Sequence, residues 1–165
     1  MSYYIENIFL CLSVPLILSL LFRNGKQRAF TIFVIFGMGC CLLSAYVSSF
    51  FAGYYHAGTT AAIMEITPVC EETLKFLPLL FYLLVFEPDK RDVISPAIGI
   101  AVGFATFENV CYLTKNGAAD FSYILIRGAS AGSLHLLCGI ALGCGIAYVF
   151  QKKWIMITGI IGALG

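Results

Sequence analysis

The sequence predicts an all-α, polytopic transmembrane helix bundle, with five spans and a sixth that is cut short at the C-terminus. Three observations carry this expectation. Of the 165 residues, 60% are hydrophobic and 12% are charged, and the mean hydropathy of +0.91 lies far above the usual soluble range. The apolar residues fall in stretches that approach or exceed the ~20 residues a helix needs to cross the hydrocarbon core. The basic residues gather in alternate loops, as the positive-inside rule requires.

Taken in order, the expected spans are 3–22, 29–51, 60–86, 93–114 and 121–150, within one integral membrane domain covering 1–165. The opening MSYYIEN has no positive residue ahead of its apolar stretch and carries Glu6, so it reads as the start of the first span and not as a cleaved secretory signal. The stretch 121–150 is too long for one straight crossing, which suggests a short lead-in helix before a span beginning near Gly128. The sixth stretch opens at Trp154 and reaches Gly165, only ~18 Å as a helix.

Arg23, Lys26 and Arg28 in the first loop, Lys90 and Arg91 in the third, and Lys152 and Lys153 in the fifth all fall on one side, against Lys115 alone on the other. The expected orientation therefore has the N-terminus outside and the basic loops in the cytoplasm. A net charge of +1 and the lack of a basic run argue against a nucleic-acid partner. The seven cysteines are scattered through apolar runs with no CxxC and read as packing residues, with thiolate metal binding at Cys70, Cys111 and Cys138 as the alternative.

Six ionisable residues stand deep in these spans, in the segments CEETLK, FATFEN and RGASAGSLH: Glu71, Glu72, Lys75, Glu108, Arg127 and His135. Each costs ~2.5–3.5 kcal/mol at the bilayer centre, so their presence points to function. By helical rise, Glu71, Glu108 and His135 lie ~9–17 Å below the outer boundary, a common layer in the outer half of the membrane.

In PVCEETLKF, Glu71 and Lys75 are four apart on nearly one helix face, and one of the two glutamates can pair with Lys75 while the other stays free. A carboxylate in an apolar bundle suits general acid or base work. A structural ion pair between helices is the plainer alternative. Pro68 and Pro78 bracket the motif and free backbone carbonyls, and Glu65 shares the face of Glu72 as a candidate for an outer approach.

In GFATFENVCYL, Phe104 and Glu108 share a face, and Asn109 can hold a substrate peptide or the glutamate through its amide. His135 follows a small-residue run with GxxxG spacing at Gly128/Gly132 and Gly139/Gly143. Beside three acids it is a candidate metal ligand, proton carrier or oxyanion stabiliser. Arg127 either reaches the outer interface or pairs with Glu108, and is read first as structural; His56 is read as solvated.

These segments resemble the PrsW family of intramembrane proteases, in the wider group that includes CAAX-processing and bacteriocin-processing membrane endopeptidases. The likeness covers roughly 63–148 and rests on EExxK at Glu71 to Lys75, FxxxEN at Phe104 to Asn109, and the helix histidine His135. It implies hydrolysis of a peptide bond in a membrane-tethered protein substrate. It also implies first-site cleavage of an anti-sigma factor on the outer side of a bacterial inner membrane. The family pattern has a second histidine in a further C-terminal helix, which this sequence does not contain.

Two chemistries stay open on these residues. In the glutamic version Glu72, or less favourably Glu71, activates a water, with His135 and Asn109 stabilising the oxyanion, Lys75 setting the charge state and Glu108 as a second acid or base. In the zinc version Glu108 and His135 are metal ligands alongside the family's second histidine, and another glutamate is the base. No HExxH occurs, so the sequence leaves glutamic and zinc chemistry both open, with the metal-free form taken first. The rival classes are an ion- or proton-coupled transporter and a noncatalytic membrane scaffold.

Overall fold

The computed structural model describes residues 3–89, 92–116 and 121–149, and among these the chain is helical with no strand. Five long helices follow one another: α1 (Tyr3–Ser19), continued by a 3-10 turn Leu20–Phe22, α2 (Gly25–Tyr54), α3 (Thr67–Phe86), α4 (Ile94–Asn116) and α5 (Phe121–Val149). The segments Ile5–Phe22, Gly25–Tyr54, Ile94–Thr114 and Ser122–Ile146 are long and apolar enough to cross a membrane. The protein is thus a multi-pass membrane protein.

The expected span 60–86 is not among these four. Its main helix, α3, has 20 residues, enough for ~30 Å, but it carries Glu71, Glu72 and Lys75, and these charges lower its apolarity. The same stretch is also not one regular helix. A single turn Thr59–Ala61 leads into a π-helical segment Ala62–Ile66 before α3 begins. Pro68 explains the widening: it has no N–H for the carbonyl four residues back and its ring crowds that carbonyl, so the ladder loosens just ahead of it. The Thr67 N–H and hydroxyl both donate to the Ala62 carbonyl, which closes the wide turn.

The suggested lead-in helix before Gly128 is likewise replaced by one uninterrupted helix from Phe121 to Val149. Nothing in that sequence breaks it, since the run contains no proline and Gly128, Gly139 and Gly143 lie against α4. The short sixth stretch, 154–165, lies outside the described residues.

Helix α4 is the centre of the packing, with α2 on one side and α5 on the other. Glycine sets the first contact. A Cβ on Gly37 would sit 2.1 Å from the Ile100 carbonyl oxygen, and one on Gly103 would sit 1.9 Å from that of Val34, so only bare backbone allows this approach. The second contact also uses small residues, with Gly139 and Gly143 of α5 facing Ala101 and Ala97 of α4. Without a hydrophobic driving force between helices in lipid, such close backbone packing supplies the association energy.

Two apolar clusters fill the interior. Phe33, Leu79, Leu83, Val93, Ala97, Ile100 and Ile146 join α2 through α5. Met38, Cys40, Cys41, Leu74, Phe104 and Phe107 lie beneath the polar layer, with α1 leaning on them through Ile8, Phe9 and Leu12. All the cysteines of this interior are free thiols, as their scattered placement suggests. Pro78 inside α3 cannot donate to the Leu74 carbonyl, and the Cys40 thiol of α2 donates to that oxygen instead, at 3.2 Å. Large apolar side chains such as Leu21, Phe22, Phe81 and Leu84 remain exposed and face lipid.

Candidate active site

Three helices deliver the polar layer. Glu71, Glu72 and Lys75 lie on the second and third turns of α3, Glu108 and Asn109 in the C-terminal half of α4, and Arg127 and His135 on α5. The structure joins all but Glu71 into one chain of contacts. The Lys75 ammonium donates to Glu72 Oε1 at 2.6 Å and lies 2.9 Å from His135 Nδ1. His135 Nε2 lies 2.9 Å from Glu108 Oε2. Glu108 Oε1 accepts from Arg127 at 3.1 Å, and Arg127 also donates to Asn109 Oδ1.

The direction of this chain follows from donor chemistry. A lysine ammonium has donors and no acceptor, so His135 Nδ1 must accept; Nε2 then carries the proton and donates to Glu108. Both ring nitrogens of His135 are occupied. The ring is fixed by a further contact: Phe104, fully buried, has its ring centroid 5.0 Å from that of His135 and 4.1 Å from the Lys75 nitrogen. The cation thus sits over an aromatic face, which partly replaces its lost hydration. Lys75 is only 4% exposed, a burial tolerable for a cation solely with such partners.

Lys75 and Arg127 offset Glu72 and Glu108. Glu71 is left over: it is partly buried and lies within the field of Lys75, Glu108, His135 and Glu72, yet among the described residues its carboxylate makes no hydrogen bond. Of the two glutamates open to pairing with Lys75, it is Glu72 that pairs, at i,i+3 spacing. Arg127 pairs with Glu108, one of its two expected roles. Asn109 accepts through its oxygen, and among the described residues its Nδ2 donors meet no acceptor. Glu65 is exposed on the π-helical segment, and His56 is exposed at the bend after α2.

Two residues of the layer escape a motif-based reading. The Arg127 guanidinium stacks on the Tyr112 ring at 3.7 Å, and Tyr112 and Tyr123 join through their hydroxyls. The signal was spacing: Tyr112 is four residues after Glu108 and Tyr123 four before Arg127, so each shares a helix face with a charged neighbour.

The same geometry bears on metal binding. Zinc would need a ring nitrogen of His135, and each is already held, one by Lys75 and one by Glu108. Among the described residues, no group of three or more His, Cys, Asp or Glu side chains converges on a point that could hold an ion. As arranged, these donors do not form a metal site, and coordination would require His135 to give up one of its two partners.

No curated protein and no solved structure gives a significant match to the chain. A family profile does match, over residues 26–165, and it brackets all the residues of the polar layer. That coverage places this protein in the PrsW family of intramembrane metalloproteases.

Proposed function

We propose that the protein hydrolyses a peptide bond of a membrane-tethered protein with a water activated by Glu71. The observation that carries this reading is the charge balance of the layer, in which Glu71 is the carboxylate without a partner while Glu72 is committed to Lys75. Glu71 takes a proton from the water as its oxygen attacks the scissile carbonyl carbon, and returns that proton to the leaving amine. Asn109 Nδ2 donates to the developing oxyanion, a contribution of ~2.7–4 kcal/mol for a well-placed donor. His135, Lys75, Glu108 and Arg127 hold Glu72 and Asn109 in place and shield the site's charge. This assigns the base to Glu71, where the sequence alone had favoured Glu72, and makes His135 a positioning residue.

On the same reading, the whole chain is one membrane domain and α3 is a fifth crossing, with its charges turned toward α4 and α5. The distribution of basic residues supports an outside N-terminus and cytoplasmic basic loops. With that orientation the polar layer lies in the outer half of the bilayer, which fits first-site cleavage of an anti-sigma-factor-like protein in a bacterial inner membrane. The test is reconstitution of the full-length protein with a single-span substrate. Glu71→Gln should abolish cleavage while the protein remains folded, and a Glu71→Gln protein that still cleaves would refute the assignment.

A further inference from the structure

At the end of the bundle opposite the polar layer, an open cleft of ≈ 490 Å³ lies where the start of α2 meets the start of α4. It is lined by Arg23, Lys26, Gln27, Phe30 and Ser95. None of these residues belongs to the candidate active site. Both cations are held in place: Arg23 donates to the buried Thr31 hydroxyl at 2.9 Å, and Lys26 to Asp92 at 2.8 Å. Each retains donors for a ligand, because a guanidinium has five N–H groups and an ammonium three.

We propose that this cleft binds the headgroup of an anionic phospholipid. Arg23 and Lys26 are the two charged residues that line the cleft, and although Asp92 and Asp89 act on Lys26, Arg23 has no acid partner among the described residues, so its positive charge complements a phosphodiester carrying a single negative charge. Gln27 and Ser95 offer an amide and a hydroxyl to glycerol and ester oxygens, and Phe30 offers a ring edge to the first carbons. Next to Arg23 along the chain, Leu18, Leu21 and Phe22 are 57%, 78% and 88% exposed, a bare apolar strip suited to acyl chains. A free inorganic anion would use the polar half of this surface and leave the strip unused. The volume lies within the ~300–1,000 Å³ of small-molecule sites. A basic pocket between helices at the membrane boundary is where anionic headgroups are recognised.

The test is native mass spectrometry of the purified full-length protein with phosphatidylglycerol or phosphatidylcholine of identical acyl chains. The wild type should retain phosphatidylglycerol several-fold better. Arg23→Gln and Lys26→Gln should each weaken that retention about fivefold, the share of one cation near the surface. Arg28→Gln, which removes an equal charge outside the cleft, should leave it unchanged. Should Arg23→Gln unfold through loss of its Thr31 contact, Lys26→Gln carries the test, since that side chain is 85% exposed. Equal retention of the two lipids by the wild type would overturn the proposal, as would an Arg28→Gln loss equal to the others. Displacement of phosphatidylglycerol by millimolar inorganic phosphate would also overturn it, by assigning the cleft to a free anion.

Discussion

Lys75 can hold Glu72 and His135 together because its ammonium donates to both, and this leaves one of the two adjacent glutamates paired and the other unpaired among the described residues. Glu71→Gln should cut turnover by about 10²–10⁴, the usual weight of a general base and enough to take product below detection in a cleavage assay, with little change in thermal unfolding in detergent. Glu72→Ala should do the reverse in kind: it leaves a buried ammonium short of its counter-ion and lowers stability. The loss should stay below the ~3–5 kcal/mol of a fully buried pair, because the Glu72 side chain keeps 31% exposure. Glu72→Gln, whose amide oxygen still accepts from Lys75, should lose less. Asn109→Ala should lower turnover by about 10²–10³ if its amide donates to the oxyanion. The identities of these residues were legible in the sequence because ionisable groups in apolar helices are costly. Their pairing was not: a lysine reaches an acid three or four residues back equally well, and the choice depends on where His135 stands on another helix.

At the scale of the helix, proline and glycine placement explains more than hydropathy does. Pro78 leaves the Leu74 carbonyl without its backbone donor, and Cys40 replaces that donor from α2. Cys40→Ala should therefore cost about 1 kcal/mol, a typical net hydrogen bond. In a Pro78→Ala background, where the backbone N–H is restored, the same substitution should cost markedly less, and a double-mutant cycle on thermal unfolding measures the difference. Gly103→Val should prevent assembly of α4 on α2, because its Cβ would meet the Val34 carbonyl oxygen, read as loss of a monodisperse folded species in detergent. The GxxxG spacing in α5 was visible in the sequence, but which glycines matter was not. Gly139 and Gly143 press on α4, whereas a Cβ on Gly132 would meet nothing within 4 Å. The helix boundaries at Gly25 and Tyr54 extend past the apolar stretch, since a helix continues into the interface wherever no residue stops it.

For the whole molecule, composition settled the class: four described helices have the length and apolarity of membrane spans, and α3 is set apart by its charges. Those charges meet Glu108, Asn109, Arg127 and His135 from two other helices in one layer of an otherwise apolar bundle. The motif order along the chain foretold that meeting. It did not foretell that His135 would have both nitrogens engaged, because that depends on the rotation of α5 against α4. The measurement that tests the central claim most directly is cleavage of a single-span substrate by the reconstituted full-length protein, comparing wild type, Glu71→Gln and Glu72→Gln, each with and without a zinc chelator. The account expects chelator-resistant cleavage by the wild type, none by Glu71→Gln, and reduced but detectable cleavage by Glu72→Gln. Wild-type cleavage retained by Glu71→Gln, or abolished by the chelator, would contradict it.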